Sequence, residues 1–399
     1  MSPGRAGVGP PDATALTEGM VERVQRRLVQ ERADPTSTAV ARALRAELPV
    51  LVSDAEMVGL IRGVQRELVG TGPLADLLAD PATTDVVVNG PRDVRVDRGN
   101  GWEATTVTFA DEAAVQRLAR RLAATAGRRL DDARPFVDAQ LPDGARLHAV
   151  LAPVATGGTC LSLRVLRPVR HDLTTLERSG GLPGVTAPAI AAIVRARLAF
   201  LVSGGTGSGK TTLLGAMIGS VAPADRVVVV EDAAELAPPH PHVLHMVARP
   251  ANVEGVGAVL LRDLVRQALR MRPDRIVVGE VRGDEVVDLL AALNTGHEGG
   301  AGTVHANTAA DVPQRIEALA AAAGLPRAAA HAQLGAAVQV VLHLTRRGSR
   351  RVLGEIAVLQ RDADGLVTAR PAVVDGLPVE PGASLLAAVL RQREVAAPW

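Results

Sequence analysis

Residues 204–211 read Gly-Gly-Thr-Gly-Ser-Gly-Lys-Thr, with the apolar run Leu198–Ser203 before them and a helix-compatible segment from about Thr211 behind them. The glycines of a Gly-x4-Gly-Lys-Thr loop let backbone N–H groups turn inward around phosphate oxygens. A helix beginning straight after the loop aims the positive end of its dipole at the same point. Strand, loop and helix in this order predict an α/β domain with a mostly parallel sheet built on a P-loop. In such a loop Lys210 bridges the β and γ phosphates of ATP and the Thr211 hydroxyl ligates Mg²⁺. Gly204, Gly205, Thr206, Gly207, Ser208, Gly209 and Thr212 complete the cradle. ATP and Mg²⁺ are therefore the expected ligand and cofactor.

Lys210 is the only lysine among the 44 Lys and Arg residues of the chain. A coding bias towards arginine would spare one lysine at random, but the position inside the loop points to chemistry. A compact ammonium on a flexible stem sits between phosphate oxygens as a point charge where a planar guanidinium does not fit.

At 399 residues, 47% of them apolar, the chain is long enough for two or three domains with their own cores. A formal net charge of +1 implies neither a polyanionic partner nor an acidic tail. Cys160 is the single cysteine, which excludes an intramolecular disulfide and a thiolate zinc cluster and fits a reducing compartment. Residues 1–20 lack the apolar stretch of a signal peptide, and no run approaches the roughly 18 to 20 apolar residues of a membrane span. A cytoplasmic location is expected, with any membrane contact made through partners.

Periodicity and punctuation divide the chain. A disordered lead is expected over 1–15, and a helical region over 16–80, with a break at Gly70-Thr71-Gly72-Pro73. Short alternating strands with one helix at about 111–126 predict a mixed α/β N-terminal domain over 81–167. Pro168, Gly180-Gly181 and Pro183 suggest a linker over 168–185. The ATPase core follows over 186–345, then a hairpin around Asp364-Gly365 and a short amphipathic tail within 346–399.

In the core, four apolar strands each run into residues able to do chemistry, and open parallel sheets bind ligands at the carboxyl ends of their strands. Leu198–Ser203 leads into the loop, and Val227–Val230 leads into Glu231-Asp232 with Glu235 close behind. Acids at the end of a buried strand are expensive unless they meet a metal, a water or a base. Glu231 is thus a general-base or metal-organising candidate, and Asp232 could equally cap a following helix. Ile276–Val278 leads into Glu280, which could hold Mg²⁺, polarise the attacking water, or simply pair with Arg282. His297 and His305 flank Gly299-Gly300-Ala301-Gly302, and a histidine there can sense the γ-phosphate, orient water, or be purely structural. His240, His242 and His245 form a further cluster without thiolate or carboxylate neighbours in sequence.

Taken together, Gly204–Thr211, Glu231–Leu236, Arg270–Arg282 and Thr295–Asn307 resemble the four ordered motifs of the type II/IV secretion ATPase superfamily. The branch they look most like is that of the tight-adherence (Flp) pilus ATPases, related to conjugal-transfer ATPases. The resemblance extends upstream through Asp85–Gly90 and Val137–Gly144, and downstream to about Val358. It implies a RecA-like core, with the motifs as Walker A, Asp box, atypical Walker B and His box, and a glutamate, Glu280, where other P-loop enzymes have aspartate. It also implies a homo-oligomer, usually a hexameric ring. That ring would work against inner-membrane platform proteins to drive pilus assembly, protein export or conjugal transfer. Nucleic acid is not expected as a direct ligand: three Phe, two Trp and no Tyr are a poor supply of stacking platforms. An arginine from outside the loop should meet the developing phosphate charge. The candidates are Arg134, Arg146, Arg164 and Arg167, with Arg146 and Arg164 first.

Overall fold

The computed structural model describes residues 15–31, 33, 36–48, 52–68, 70–165, 171–252, 254–296, 298–348 and 350–399. The chain divides into two compact units, Met1–Leu166 and Arg167–Trp399. Apart from Ala15, the lead expected over 1–15 lies outside the described residues, as do Pro168, Arg167 and His297.

The first unit opens with three helices, α1 (Ala15–Glu31), α2 (Ser37–Glu47) and α3 (Asp54–Leu68). Met20, Val24, Val40, Leu44, Met57 and Val64 recur at helical spacing and pack the three together. The helical pattern breaks where the Gly-Pro signal falls, in a tight turn at Gly72–Leu74 before α4 (Ala75–Ala79). Six strands follow: β1 (Asp85–Asn89), β2 (Val94–Asp97), β3 (Trp102–Ala104), β4 (Phe136–Gln140), β5 (Arg146–Val150) and β6 (Cys160–Arg164), with α5 (Glu112–Thr125) inserted after β3. The Asp111 side chain starts α5 by accepting the Ala114 N–H at 2.7 Å. The sheet order is β3-β2-β1-β6-β5-β4, antiparallel throughout. Alternation sends Val86, Val88, Leu147 and Leu163 into one core with α5 and leaves the other face half-exposed or exposed, mostly polar but with Val87, Phe136 and Val150 among it.

The second unit begins with α6 (Leu173–Arg178) and α7 (Thr186–Arg195). It continues with β7 (Phe200–Gly204), α8 (Lys210–Gly219), β8 (Val227–Glu231), β9 (Val243–Val247), α9 (Leu261–Ala268), β10 (Arg275–Val281), α10 (Glu285–Leu293) and β11 (Ala301–Val304). It ends with α11 (Val312–Ala322), α12 (Arg327–Ala337), β12 (Val340–Arg347), β13 (Arg350–Arg361), β14 (Val367–Val374), β15 (Leu377–Pro378) and α13 (Gly382–Gln392). The sheet runs β15-β14-β13-β12-β7-β11-β10-β8-β9, parallel from β12 to β9 and antiparallel from β12 to β15.

Continuous apolar strands are what a sheet covered on both faces requires. Phe200, Val202, Val227 and Val229 face α7, α8 and α13. Leu201, Val228, Val230, Ile276 and Val278 face α9 to α12. Each fully buried aliphatic side chain contributes about 1.5–3 kcal/mol.

Two expected borders fall elsewhere in the structure. The 168–185 stretch, whose Gly and Pro residues suggest a linker, contains α6, capped by Asp172, and the Gly181 carbonyl accepts the Leu353 N–H at 2.9 Å. The 345/346 border falls inside β12, because the hairpin of β13 and β14 extends the same sheet.

Candidate active site

The loop after β7 takes its shape from glycines at three points. Gly204, Gly207 and Gly209 have φ of 146°, 70° and 96°, the left-handed region that disfavours a side chain. At Gly204 space is also closed: a Cβ would lie 2.6 Å from the Leu344 carbonyl oxygen and 2.7 Å from Ser208 Oγ. Thr206 is exposed on the turn, and Thr211 and Thr212 open the first turn of α8 half-buried. Lys210 is buried, with its ammonium folded back into the loop, donating to the Gly204 carbonyl at 3.0 Å and the Gly205 carbonyl at 2.9 Å. Burial lowers its pKa, and the charges of Glu280 and Glu235 act against that shift.

Glu231 ends β8 fully buried. Its Oε1 accepts the Glu235 N–H at 3.2 Å and the Leu236 N–H at 2.9 Å, so the following loop wraps around the carboxylate. Its Oε2 faces His245 Nδ1 of β9 at 3.7 Å. That contact draws one member of the histidine cluster towards a carboxylate, which sequence spacing does not show. His240 and His242 turn instead to the Ala222 carbonyl and to Arg226.

Glu280 lies where the β10–β11 register shifts between Val278 and Val281, an irregularity of the kind that re-aims a side chain next to a site. Its Oε1 is 3.2 Å from His305 Nε2, and both side chains are 38% exposed, open enough to meet a ligand. Burial, then the charge of Lys210, push the His305 pKa below its ordinary value, with Glu280 pulling the other way. The lowered pKa favours the neutral imidazole, whose Nε2 is turned towards the Glu280 carboxylate. The alternative pairing of Glu280 with Arg282 is not what forms. Arg282 reaches Asp232, which caps no helix because an irregular loop follows it.

Gly279 makes room for this arrangement. A Cβ there would lie 2.7 Å from Glu231 Cγ, whose carboxylate is pinned by two backbone amides. Gly279→Ala is expected to displace Glu231 and lower turnover on the order of 10²-fold, the scale of an ångström-sized misplacement. Steady-state phosphate release, with an unfolding curve as control, checks it.

One residue beside the loop gave no signal in the sequence. His343 of β12 stands opposite Ser203, and its Nδ1 lies 2.9 Å from Ser203 Oγ at the root of the loop. A hydrogen bond to the Asn307 backbone ties the same buried ring to the segment that carries His305, and burial lowers its pKa. Arg275, inside the third motif, is structural: buried at the opposite end of β10 from Glu280, it pairs with Asp225 at 3.2 Å and donates to the Val194 carbonyl at 3.1 Å.

Arg146 and Arg164 belong to the first unit, directly opposite each other on β5 and β6. Their partners are Asp138 at 3.7 Å and Asp85 at 3.0 Å.

The residues of the loop fit a phosphate chain. An inward ammonium is held only by carbonyls, and Gly205 and Gly207 face open space. Two buried oxygens, Ser208 Oγ and Glu231 Oε2, have no hydrogen-bond partner among the described residues. Among the same residues no group of three or more His, Cys, Asp or Glu could hold a metal ion alone, so a cation here needs ligand oxygens beside Thr211 and Glu280. No helix among the described residues is long and apolar enough to cross a membrane.

Over 326 residues the chain is 63% identical to a putative conjugal transfer protein of Mycobacterium tuberculosis, covering 80% of this chain and 92% of that one. Over 303 residues it is 31% identical to the conjugal transfer protein TrbB of Rhizobium radiobacter, covering 74% and 89%. The solved structure of the pilus retraction motor PilT with bound ADP shares the fold, with a TM-score of 0.51 at 19% identity, over 81% of this chain and 86% of that one. The family of type II/IV secretion system proteins matches residues 67–370, a span that takes in β1 to β13. The chain is therefore a member of the type II/IV secretion ATPase family, with a RecA-like core.

Proposed function

We propose that this chain hydrolyses ATP with Mg²⁺ as a subunit of a homo-oligomeric, hexameric ring, and that the work drives conjugal transfer, protein export or pilus assembly against inner-membrane platform proteins. The observation that carries the reading is the meeting of Lys210, Glu280 with His305, and Glu231 at the carboxyl ends of adjacent strands of one sheet. Lys210 would leave the two loop carbonyls to neutralise phosphate charge. Glu280, beside His305, is the group placed to accept a proton from the attacking water. Glu231 holds its geometry through the loop that wraps it. Thr211 and Glu280 would hold Mg²⁺, which supplies charge neutralisation between phosphate oxygens. The cytoplasmic face of a membrane is where such a ring would work, and the conjugal-transfer names of two similar proteins support that setting.

Arg146, half-buried, and Arg164, exposed, adjacent across β5 and β6, are the arginines proposed to complete the site in the ring. In other P-loop enzymes such an arginine is worth about 10³–10⁵ in rate. Phosphate release per subunit is expected to rise with protein concentration and to need Mg²⁺. Arg146→Ala and Arg164→Ala should each lower kcat at least tenfold, on the order of one lost charged contact, with a smaller change in KM. Activity per subunit independent of concentration, with both variants turning over normally, would remove the ring and these arginines from the mechanism.

A further inference from the structure

The sheet supplies another cation to the loop, from within the same unit. In the register of β12 with β7, Leu344 stands opposite Gly204, and β12 continues past that point to Arg347 before the chain returns as β13 from Arg350. The hairpin end therefore projects beyond the carboxyl end of β7, on the side of the sheet edge where the P-loop lies. Arg351 pairs across to Arg346 in this projection. Its backbone is fixed on the far side as well, since the next strand residue but one, Leu353, donates to the Gly181 carbonyl at 2.9 Å.

The Arg351 side chain comes down on the loop. A Cβ built at Gly209 would lie 3.3 Å from Arg351 Cδ and 3.9 Å from Arg351 Cβ, so the aliphatic stem covers the residue that caps α8. Nearby arginines are otherwise engaged: Arg347 pairs with Asp375, and Arg346 donates to the Gly348 carbonyl at 3.1 Å. No carboxylate among the described residues pairs with the exposed Arg351 guanidinium. A guanidinium beside a helix N-terminus, whose own partial charge is positive, is unfavourable until an anion joins them. Lys210, the α8 terminus and Arg351 thus bring three positive centres to one loop.

We propose that Arg351 is a phosphate ligand supplied in cis, gripping the α- and β-phosphates of the nucleotide from outside Gly209 while Lys210 works from inside the loop. This rests on the reading of residues 204–211 as an ATP site. Because α- and β-phosphates are common to both nucleotides, Arg351 holds ADP as firmly as ATP and acts on binding more than on the chemical step. Arg146 and Arg164, by contrast, are assigned to kcat.

The test is equilibrium binding of ATP, ADP and inorganic pyrophosphate to the full chain, for wild type, Arg351→Gln, Arg351→Met, Arg351→Lys and Arg350→Gln. Arg351→Met keeps an apolar stem over Gly209, and Arg350 points to the opposite face of β13 by alternation. Arg351→Gln and Arg351→Met should weaken all three ligands about tenfold or more, the scale of one charge-assisted contact, with unfolding midpoints unchanged. Arg351→Lys should recover part of the affinity, and Arg350→Gln should match wild type. Wild-type affinity for ADP in both charge-removing variants would overturn the proposal. So would weakened nucleotide binding with pyrophosphate binding intact, which would mean a contact to the base. A wild-type chain that binds none of the three ligands would instead overturn the ATP reading itself.

Discussion

Lys210→Ala is expected to abolish Mg²⁺-dependent ATP hydrolysis, with turnover reduced by about 10²–10³ or more, the effect of removing one aimed donor from a developing charge. The structure makes the loss hard to compensate. Lys210 is the only lysine in the chain, and its ammonium reaches the interior of the loop from the first turn of α8. Arg351, the nearest candidate substitute, lies outside Gly209 and is kept there by the register of β13. Lys210→Arg should not restore the rate, because a planar fork does not enter a hollow sized for an ammonium between two carbonyls. Phosphate-release assays of the three proteins, with circular dichroism to confirm folding, provide the check. Turnover at the wild-type rate in Lys210→Ala would refute the assignment of the loop.

Glu280→Gln should separate binding from chemistry. The substitution keeps the shape, and the side chain stays beside His305, whose Nε2 lies 3.2 Å from Glu280 Oε1. It removes the proton acceptor, a change usually worth about 10²–10⁴ in rate. ATP affinity should therefore stay near wild type while kcat collapses. Glu231→Gln is expected to be similar or milder, since its Oε1 would remain bonded to the Glu235 and Leu236 amides. Single-turnover hydrolysis together with nucleotide titration measures both. Weak binding in both variants with normal residual turnover would make the two acids structural.

Much of this site was legible in the sequence because its determinants are local. The continuous apolar runs Phe200–Val202 and Val227–Val230 specify strands buried on both faces, and the acids after Val230 fall at the carboxyl end of the sheet. Gly204, Gly207 and Gly209 stand where the backbone needs positive φ. What stayed hidden depends on register between distant segments. His343 reads as an interruption in an apolar strand until β12 is laid against β7, where it meets Ser203. Arg351 is one arginine among many until the β12–β13 hairpin is extended past Gly204. Arg282 is close to Glu280 in sequence but lies just beyond the end of β10, and it pairs with Asp232 just beyond the end of the neighbouring β8. That 345/346 lies within β12 has a related reason: a hairpin does not announce in its own residues whether it stands alone or widens an existing sheet.

The abutment of Gly204 against the Leu344 carbonyl has a mechanical meaning. Together with the Ser203–His343 contact it clamps the base of the loop to β12, which is itself bonded along its length to β13. A close-packed, hydrogen-bonded slab of this kind yields little under load, so under the proposed hydrolysis the recoil of a departing phosphate would not be absorbed at the clamp. It would pass instead to the less tightly packed parts of the site: Gly205 and Gly207, where a Cβ would meet open space, and the half-exposed Glu280–His305 pair. The cradle is thus a stiff mount with a compliant rim, and the rim is where a stroke would begin.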